Sequence, residues 1–272
     1  WIDVLKAKYH ELQKIEPKPD WYKDLIIFPG VEITVANCNS RVHLLAVFDT
    51  LCDGQKITSV LGKCGITSGF GDDQHTSTNA SFVDTVYFIR QAGGIPVPAH
   101  IDQPKGLLDG VISMNAELNK SLESILVAEF CDVKKFDSAE PGLKRRVDQI
   151  AKVAGSDAHK PAEIGRHFSW LKMSCPSIEG LRLALTDHDH CVKNQADDPN
   201  QKPDLFISKL TIQSMRHCGR DVSRPFSIAF NPHFNTIIGG RGTGKSTIIE
   251  SIRIAMRHDR ILETEARRIY EE

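Results

Sequence analysis

No apolar run in this 272-residue chain approaches the roughly 18 residues that a membrane-spanning helix needs, and no signal-peptide pattern is visible. No C-x-x-C pair or other regular spacing organises the seven cysteines, Cys38, Cys52, Cys64, Cys131, Cys175, Cys191 and Cys218. An odd set without a framework argues against a disulfide scaffold and predicts reduced thiols in a cytoplasmic protein. Charge of neither sign is in excess. With 34 Lys and Arg against 35 Asp and Glu, the net charge is −1, so a nucleic-acid site would have to be a local patch, and no membrane partner is expected. Internal repeats and low-complexity blocks are also missing.

What is present describes a globular chain long enough for two domains, with 40% hydrophobic and 25% charged residues. One stretch stands out. Asn235 to Thr247 contains G-x-x-x-x-G-K-[ST] without a mismatch, from Gly239 to Ser246. Thr236 to Ile238 predicts a short buried strand before it. Ile248, Ile252, Ala255 and Met256 predict one face of a helix after it. Glycines let the backbone curl until successive N–H groups point into one space and can cradle phosphate oxygens, and the helix that begins there adds its positive end. Gly239, Gly240, Arg241, Gly242, Thr243, Gly244, Lys245, Ser246 and Thr247 are therefore the expected site for ATP and Mg²⁺. Lys245 would reach the β- and γ-phosphates and the Ser246 hydroxyl the metal.

Upstream, strand and helix patterns alternate. Ile2 to Leu12 predicts a helix ended by Pro17 and Pro19. Val31-Glu32-Ile33-Thr34-Val35 predicts a strand with a carboxylate between apolar neighbours, and Val42 to Phe48 a nearly all-apolar strand holding His43. The stretch from Leu61 to Ala80, with His75, reads as a loop. A helix from Phe82 to Ile89 ends at Gly93-Gly94, and Ile95 to Ala99 leads into His100-Ile101-Asp102. Further strands are expected at Ser124–Phe130 and Lys152–Gly155, with helices at Leu143–Ala151 and Ile178–Leu185. Such alternation predicts an α/β fold with a parallel sheet or barrel, in which chemistry sits at the C-terminal strand ends. Glu32, His43, His100, Asp157 and His159 would then converge. Each alone has a bland explanation, and a lone His43 in an apolar strand is more often a satisfied core residue. Together they are nitrogen and carboxylate ligands suited to Zn²⁺, Mn²⁺ or Fe²⁺. Asp187-His188-Asp189-His190 reads instead as a solvated helix end, and Lys144-Arg145-Arg146 as an exposed helix face.

The order Pro29-Gly30-Val31-Glu32, His43, Ala99-His100, Ser156-Asp157-Ala158-His159, Ile164-Gly165 resembles the PHP (polymerase and histidinol phosphatase) superfamily. Joined to the phosphate loop, it is similar to the TrlF-type fusions of a PHP domain with an ATPase lobe like those of SMC, RecF and ABC proteins. The resemblance implies a distorted, TIM-like (β/α)7 barrel holding metal ions on Glu32, His43, His100, Asp157 and His159, with Glu32, His100, Asp157 and His159 catalytic. It also implies a homodimer closed through the ATPase lobe. Residues 1–193 would be the PHP domain, 194–204 a linker, and 205–272 the start of the ATPase. The family's His-x-His and Asp-His motifs do not precede Glu32 in this chain, nor are the ATPase's acidic and signature motifs found after the phosphate loop. We therefore expect a piece of a longer protein with an N-terminally incomplete barrel. The implied function is a metal-dependent phosphoesterase, acting on nucleic acid or a nucleotide and coupled to an ATPase, in DNA repair or phage defence. Two other readings stay open: an ATP-driven DNA- or partner-binding switch on a degenerate PHP scaffold, and a small-molecule phosphatase.

Overall fold

Val31, Ile33 and Val35 alternate with Glu32 and Thr34. In the computed structural model, which describes residues 2–38, 40–71, 76–110, 116–131, 141–213 and 223–257, this segment is strand β1 (Gly30–Cys38). It pairs antiparallel with β2 (Ser40–Val47), Thr34 opposite His43 and Glu32 opposite Leu45. Ile33, Val35, Val42, Leu44 and Ala46 lie in the core, so period-2 alternation sends Glu32 and His43 to the other face. β3 (Ile95–Pro98) adds antiparallel to β2 with Leu45 opposite Val97. Its Pro96 and Pro98 have no N–H to offer, and β3 is accordingly an edge strand of this sheet.

Helix α1 spans Ile2–Gln13. α2 (Gly54–Lys63) and α3 (Phe82–Gln91) cover the apolar face of β1 and β2 with Ile57, Val60, Val86 and Ile89. Asp53 and Ser81 cap them by accepting from the N–H groups of Lys56 and Asp84. α2 takes in Leu61 to Lys63, the start of the stretch expected as a loop, because its apolar residues run into the glycine-rich segment behind it. After the short α4 (Leu107–Gly110) and α5 (Ala116–Leu122) comes β4 (Val127–Phe130), then α6 (Pro141–Val147) and β5 (Ala151–Ala154). β4 and β5 are parallel, Glu129 opposite Val153. β6 (Ser169–Leu171) pairs antiparallel with β7 (Val192–Asn194), with α7 (Ile178–Thr186) and α8 (His188–Cys191) between them. A second apolar cluster joins Ile95, Val97, Val127, Ala151, Leu181 and Leu185.

These pairings correct the expectation of an all-parallel sheet. β1 and β2 are almost continuous in sequence, and a parallel pair needs a crossover of about a dozen residues or more. Among the described residues the strands form four separate small sheets and no closed barrel. The link from β3 to β4 is local: the Ile101 N–H donates to the Glu129 carbonyl at 2.9 Å.

The chain divides into two compact units, Trp1–Pro199 and Asn200–Glu272. In the second, β8 (Lys209–Ile212) pairs antiparallel with β9 (Phe226–Ala229), and α9 spans Lys245–Ala255. Thr236 to Ile238, expected as a buried strand, is not one; Ile238 is 89% exposed. Apolarity marks a segment fit for burial between neighbours, and no described strand flanks this one. No helix of the described residues is long and apolar enough to cross a membrane.

Candidate functional site

The antiparallel register builds the centre of the first unit. Glu32 faces Leu45, and His43 lies two residues before Leu45, so the two are diagonal neighbours on one face. A one-residue slip would turn His43 into the core. The Ala99 N–H donates to the His43 carbonyl at 3.1 Å, extending the β2–β3 ladder one step, and His100 follows with φ 28. In that left-handed backbone its ring swings back to His43. His43 Nδ1 lies 2.7 Å from Glu32 Oε1 and 3.1 Å from His100 Nε2, and His100 Nε2 lies 3.4 Å from the same carboxylate oxygen. The imidazoles meet edge to face, centroids 5.1 Å apart.

Both histidines are over nine-tenths buried, while Glu32 opens to solvent. Hydrogen bonding to His100, then His43, holds the Glu32 carboxyl down at about 2. The same bond to Glu32 raises His100 above the usual histidine range against the opposing effect of burial. The remaining ring nitrogens, His43 Nε2 and His100 Nδ1, are buried and have no hydrogen-bond partner among the described residues.

Glu129 lies behind His100 and was missed from sequence. Its carboxylate accepts the His100 N–H at 3.2 Å, and burial pushes its pKa up. A Cβ at position 155 would land on this carboxylate, so any side chain there would have to displace Glu129. The signal was available: Val127-Ala128-Glu129-Phe130 sets a carboxylate in an apolar strand just as Glu32 is set. Asp102, at the tip of the His100 turn, instead accepts the Cys131 N–H at 2.9 Å. Gly106 packs against that turn so closely that a Cβ would stand 2.5 Å from the His100 carbonyl oxygen and 2.6 Å from the Ile101 carbonyl. Backbone cannot yield as a side-chain tip can. Gly106→Ala should cost about 1–3 kcal/mol, as overpacking does, and calorimetric melting of the two proteins checks it.

Asp157 follows β5 with φ 43, a second site residue in the left-handed region that L side chains rarely adopt. Its loop is pinned from outside. Arg166 Nε and Nη2 donate to the Ser156 and Asp157 carbonyls at 2.7 and 3.2 Å, Ser156 Oγ accepts the Gly165 N–H at 2.8 Å, and Glu163 accepts the His159 N–H at 2.9 Å. His159 Nδ1 lies 3.1 Å from the Asp157 carbonyl, so in the neutral ring the proton sits on Nδ1 and Nε2 is the acceptor. Asp157 and His159 line the same cavity of about 740 Å³ as Glu32, His43 and His100. Among the described residues, the tight group that could hold an ion comprises Glu32, His43 and His100, whose ligand atoms lie within 4.8 Å of one another.

The five residues therefore share a cavity, but not all at C-terminal strand ends as a parallel barrel requires. His100 and Asp157 follow their strands; Glu32 and His43 lie within an antiparallel pair. His75, His217 and His258 fall outside the described residues. In the Asp187–His190 tract, His190 Nδ1 bonds Asp187 at 2.8 Å and His188 lies 3.3 Å from Asp189, both at an exposed helix end. In α6, Arg145 is exposed while Lys144 and Arg146 are half-buried.

In the second unit the geometry of the loop from Gly239 to Ser246 follows from its glycines. Gly242 and Gly244 take φ 77 and 88, and a Cβ on Gly239 would meet Thr243 Oγ1 at 2.5 Å. Lys245 Nζ donates to the Gly239 and Gly240 carbonyls, each at 2.6 Å. The ammonium is thus held inside the curl, and α9 starts directly behind it.

Residues 209–264 match the family model described as an AAA domain, and residues 146–187 match the one described as PHP-associated. No curated protein matches the chain. Among solved structures it is similar to the lesion-specific endonuclease PfuEndoQ from Pyrococcus furiosus, at 20% identity and a TM-score of 0.44, over 58% of this chain and 38% of that one. The chain thus spans well under half of that protein.

Proposed function

We propose that the first unit is a metal-dependent phosphoesterase and the second an ATP-binding lobe that works with it. The observation that carries the first half is the convergence of Glu32, His43 and His100 on one wall of a large cavity. The PHP-associated match supports it, and the AAA match supports the second half.

The donor set fits a divalent transition metal. It offers two imidazole nitrogens and one ionised carboxylate, all within 2.7–3.4 Å of a neighbour, close to the spacing of ligands around one ion at about 2.0–2.2 Å. Zn²⁺, Mn²⁺ and Fe²⁺ all accept such ligands. Bound there, the ion supplies Lewis acidity to a phosphoryl oxygen. Glu32 contributes its negative charge and keeps the imidazoles turned inward, Glu129 fixes the His100 peptide, and the Arg166-pinned loop holds Asp157 and His159 to the cavity wall. Nucleic acid or a nucleotide is the substrate class, and homodimerisation through the ATPase lobe is part of the same proposal. The reading is tested by phosphodiester cleavage with the intact chain. Cleavage should require added Mn²⁺ or Zn²⁺ and stop with a chelator; equal cleavage by chelator-treated protein would refute it.

Metal-free protein should show the pair's own pH signature. Glu32, with its pKa lowered, contributes stability that is present above about 4.5 and lost as pH falls through about 2; His100, with its pKa raised, contributes stability that is present below about 6.5 and lost as pH rises beyond it. The difference in melting temperature between the wild type and Glu32→Gln should therefore be largest between about pH 4.5 and 6.5. Added Zn²⁺ should reverse the trend, stabilising more as pH rises, because it binds deprotonated imidazole.

A further inference from the structure

The cavity that holds the Glu32 cluster has a second wall of different chemistry. Leu61 and Ile66 are buried behind it, and in front stands Phe70, 58% exposed. Phe48 and Phe82 are both buried in the core, whereas Phe70 is turned to the open cavity. Its backbone explains this. Phe70 lies between Gly69 and Gly71, with φ 74 and 89, in a Gly-Phe-Gly turn that only glycines form without strain. The turn is pinned: the Thr76 hydroxyl donates to the Gly69 carbonyl at 3.1 Å, and a Cβ on Gly69 would meet that hydroxyl at 2.5 Å. An aromatic ring thereby lines a cavity of about 740 Å³, large enough for far more than a phosphate group.

We propose that Phe70 is a stacking platform for a nucleobase, and that the cavity takes an unpaired nucleotide of a single-stranded nucleic acid with its phosphate on the Glu32 side. This rests on the phosphoesterase reading and narrows its substrate. A flat ring with an exposed π-face gains most from another flat ring, and every base offers one. In a duplex both faces of each base are already stacked, so a paired nucleotide reaches the platform only at the cost of extrusion.

The test measures binding of a fluorescein-labelled single-stranded oligodeoxythymidylate, and of a duplex of the same length, to the intact chain in EDTA. Phe70→Ala should bind the single strand about tenfold more weakly, the loss expected for one base–aromatic stack, with duplex binding unchanged. Phe70→Tyr should bind like wild type. Phe70→Leu, which keeps apolar bulk without the π-face, should fall with Phe70→Ala while melting like wild type. Single-strand binding unaffected by Phe70→Ala, or Phe70→Leu binding like wild type, overturns the proposal. Cleavage with Mn²⁺ separates the two ideas. A raised KM with kcat kept supports the platform, and cleavage with KM unchanged in Phe70→Ala defeats it alone. Weakened single-strand binding in a protein that never cleaves upholds the platform and defeats the phosphoesterase.

Discussion

Glu32→Gln should leave the chain unable to retain a transition metal and unable to cleave a phosphodiester. Both imidazoles of the cluster turn to one oxygen of this carboxylate, at 2.7 and 3.4 Å, so its replacement removes a ligand and the anchor of the other two. The amide has nearly the same shape but no charge, which isolates electrostatics from packing. Removing an outer partner of a metal ligand typically costs about 10–100-fold in affinity; loss of a ligand should exceed that. Metal content after dialysis, measured by mass spectrometry, and cleavage rate should fall together. An independent readout needs no metal: Glu32 is the main cause of the raised His100 pKa, so NMR titration of Glu32→Gln should show that pKa fall. Metal retained at the wild-type level, with His100 titrating as before, would show that Glu32 is neither a metal ligand nor the group that holds His100.

Lys245→Ala should weaken ATP binding by about 10–100-fold, the usual worth of a charge-assisted hydrogen bond to phosphate. Its ammonium lies at the two carbonyls of Gly239 and Gly240, inside the curl where the β- and γ-phosphates are expected. Alanine leaves the loop's N–H groups and the start of α9 in place, so residual binding reports what the backbone cradle does alone. Lys245→Arg should not rescue, because a planar guanidinium cannot replace a compact ammonium in so tight a turn. Titration with a fluorescent ATP analogue in Mg²⁺ checks both variants. Unchanged affinity in Lys245→Ala would remove the phosphate loop from the proposed function.

How far the site could be read depended on how local each part was. The phosphate loop is contiguous, and the helix behind it was legible because α9 keeps its period without interruption. Glu32 drew attention as a carboxylate among apolar neighbours, yet the same cue at Glu129 passed unread. His43 reads as a core histidine and is indeed buried; its contact with Glu32 shows only when β1 lies beside it. The left-handed turns at His100 and Asp157 had no cue at all, since neither residue type demands a positive φ. Thr236 to Ile238 misled in the opposite direction, having the composition of a buried strand without the neighbours that would bury it.

The sequence by itself determined the identity and order of the chemical groups, the glycine-rich loop before α9, and which faces of β1 and β2 are apolar. These follow from local sterics and from a side-chain period of two or 3.6, which neighbouring residues enforce on one another. Tertiary structure alone decided that His100 turns back onto Glu32 and His43, and that Phe70 shares their cavity. Such facts rest on pairing register and on contacts between residues tens of positions apart, and no local propensity carries that information.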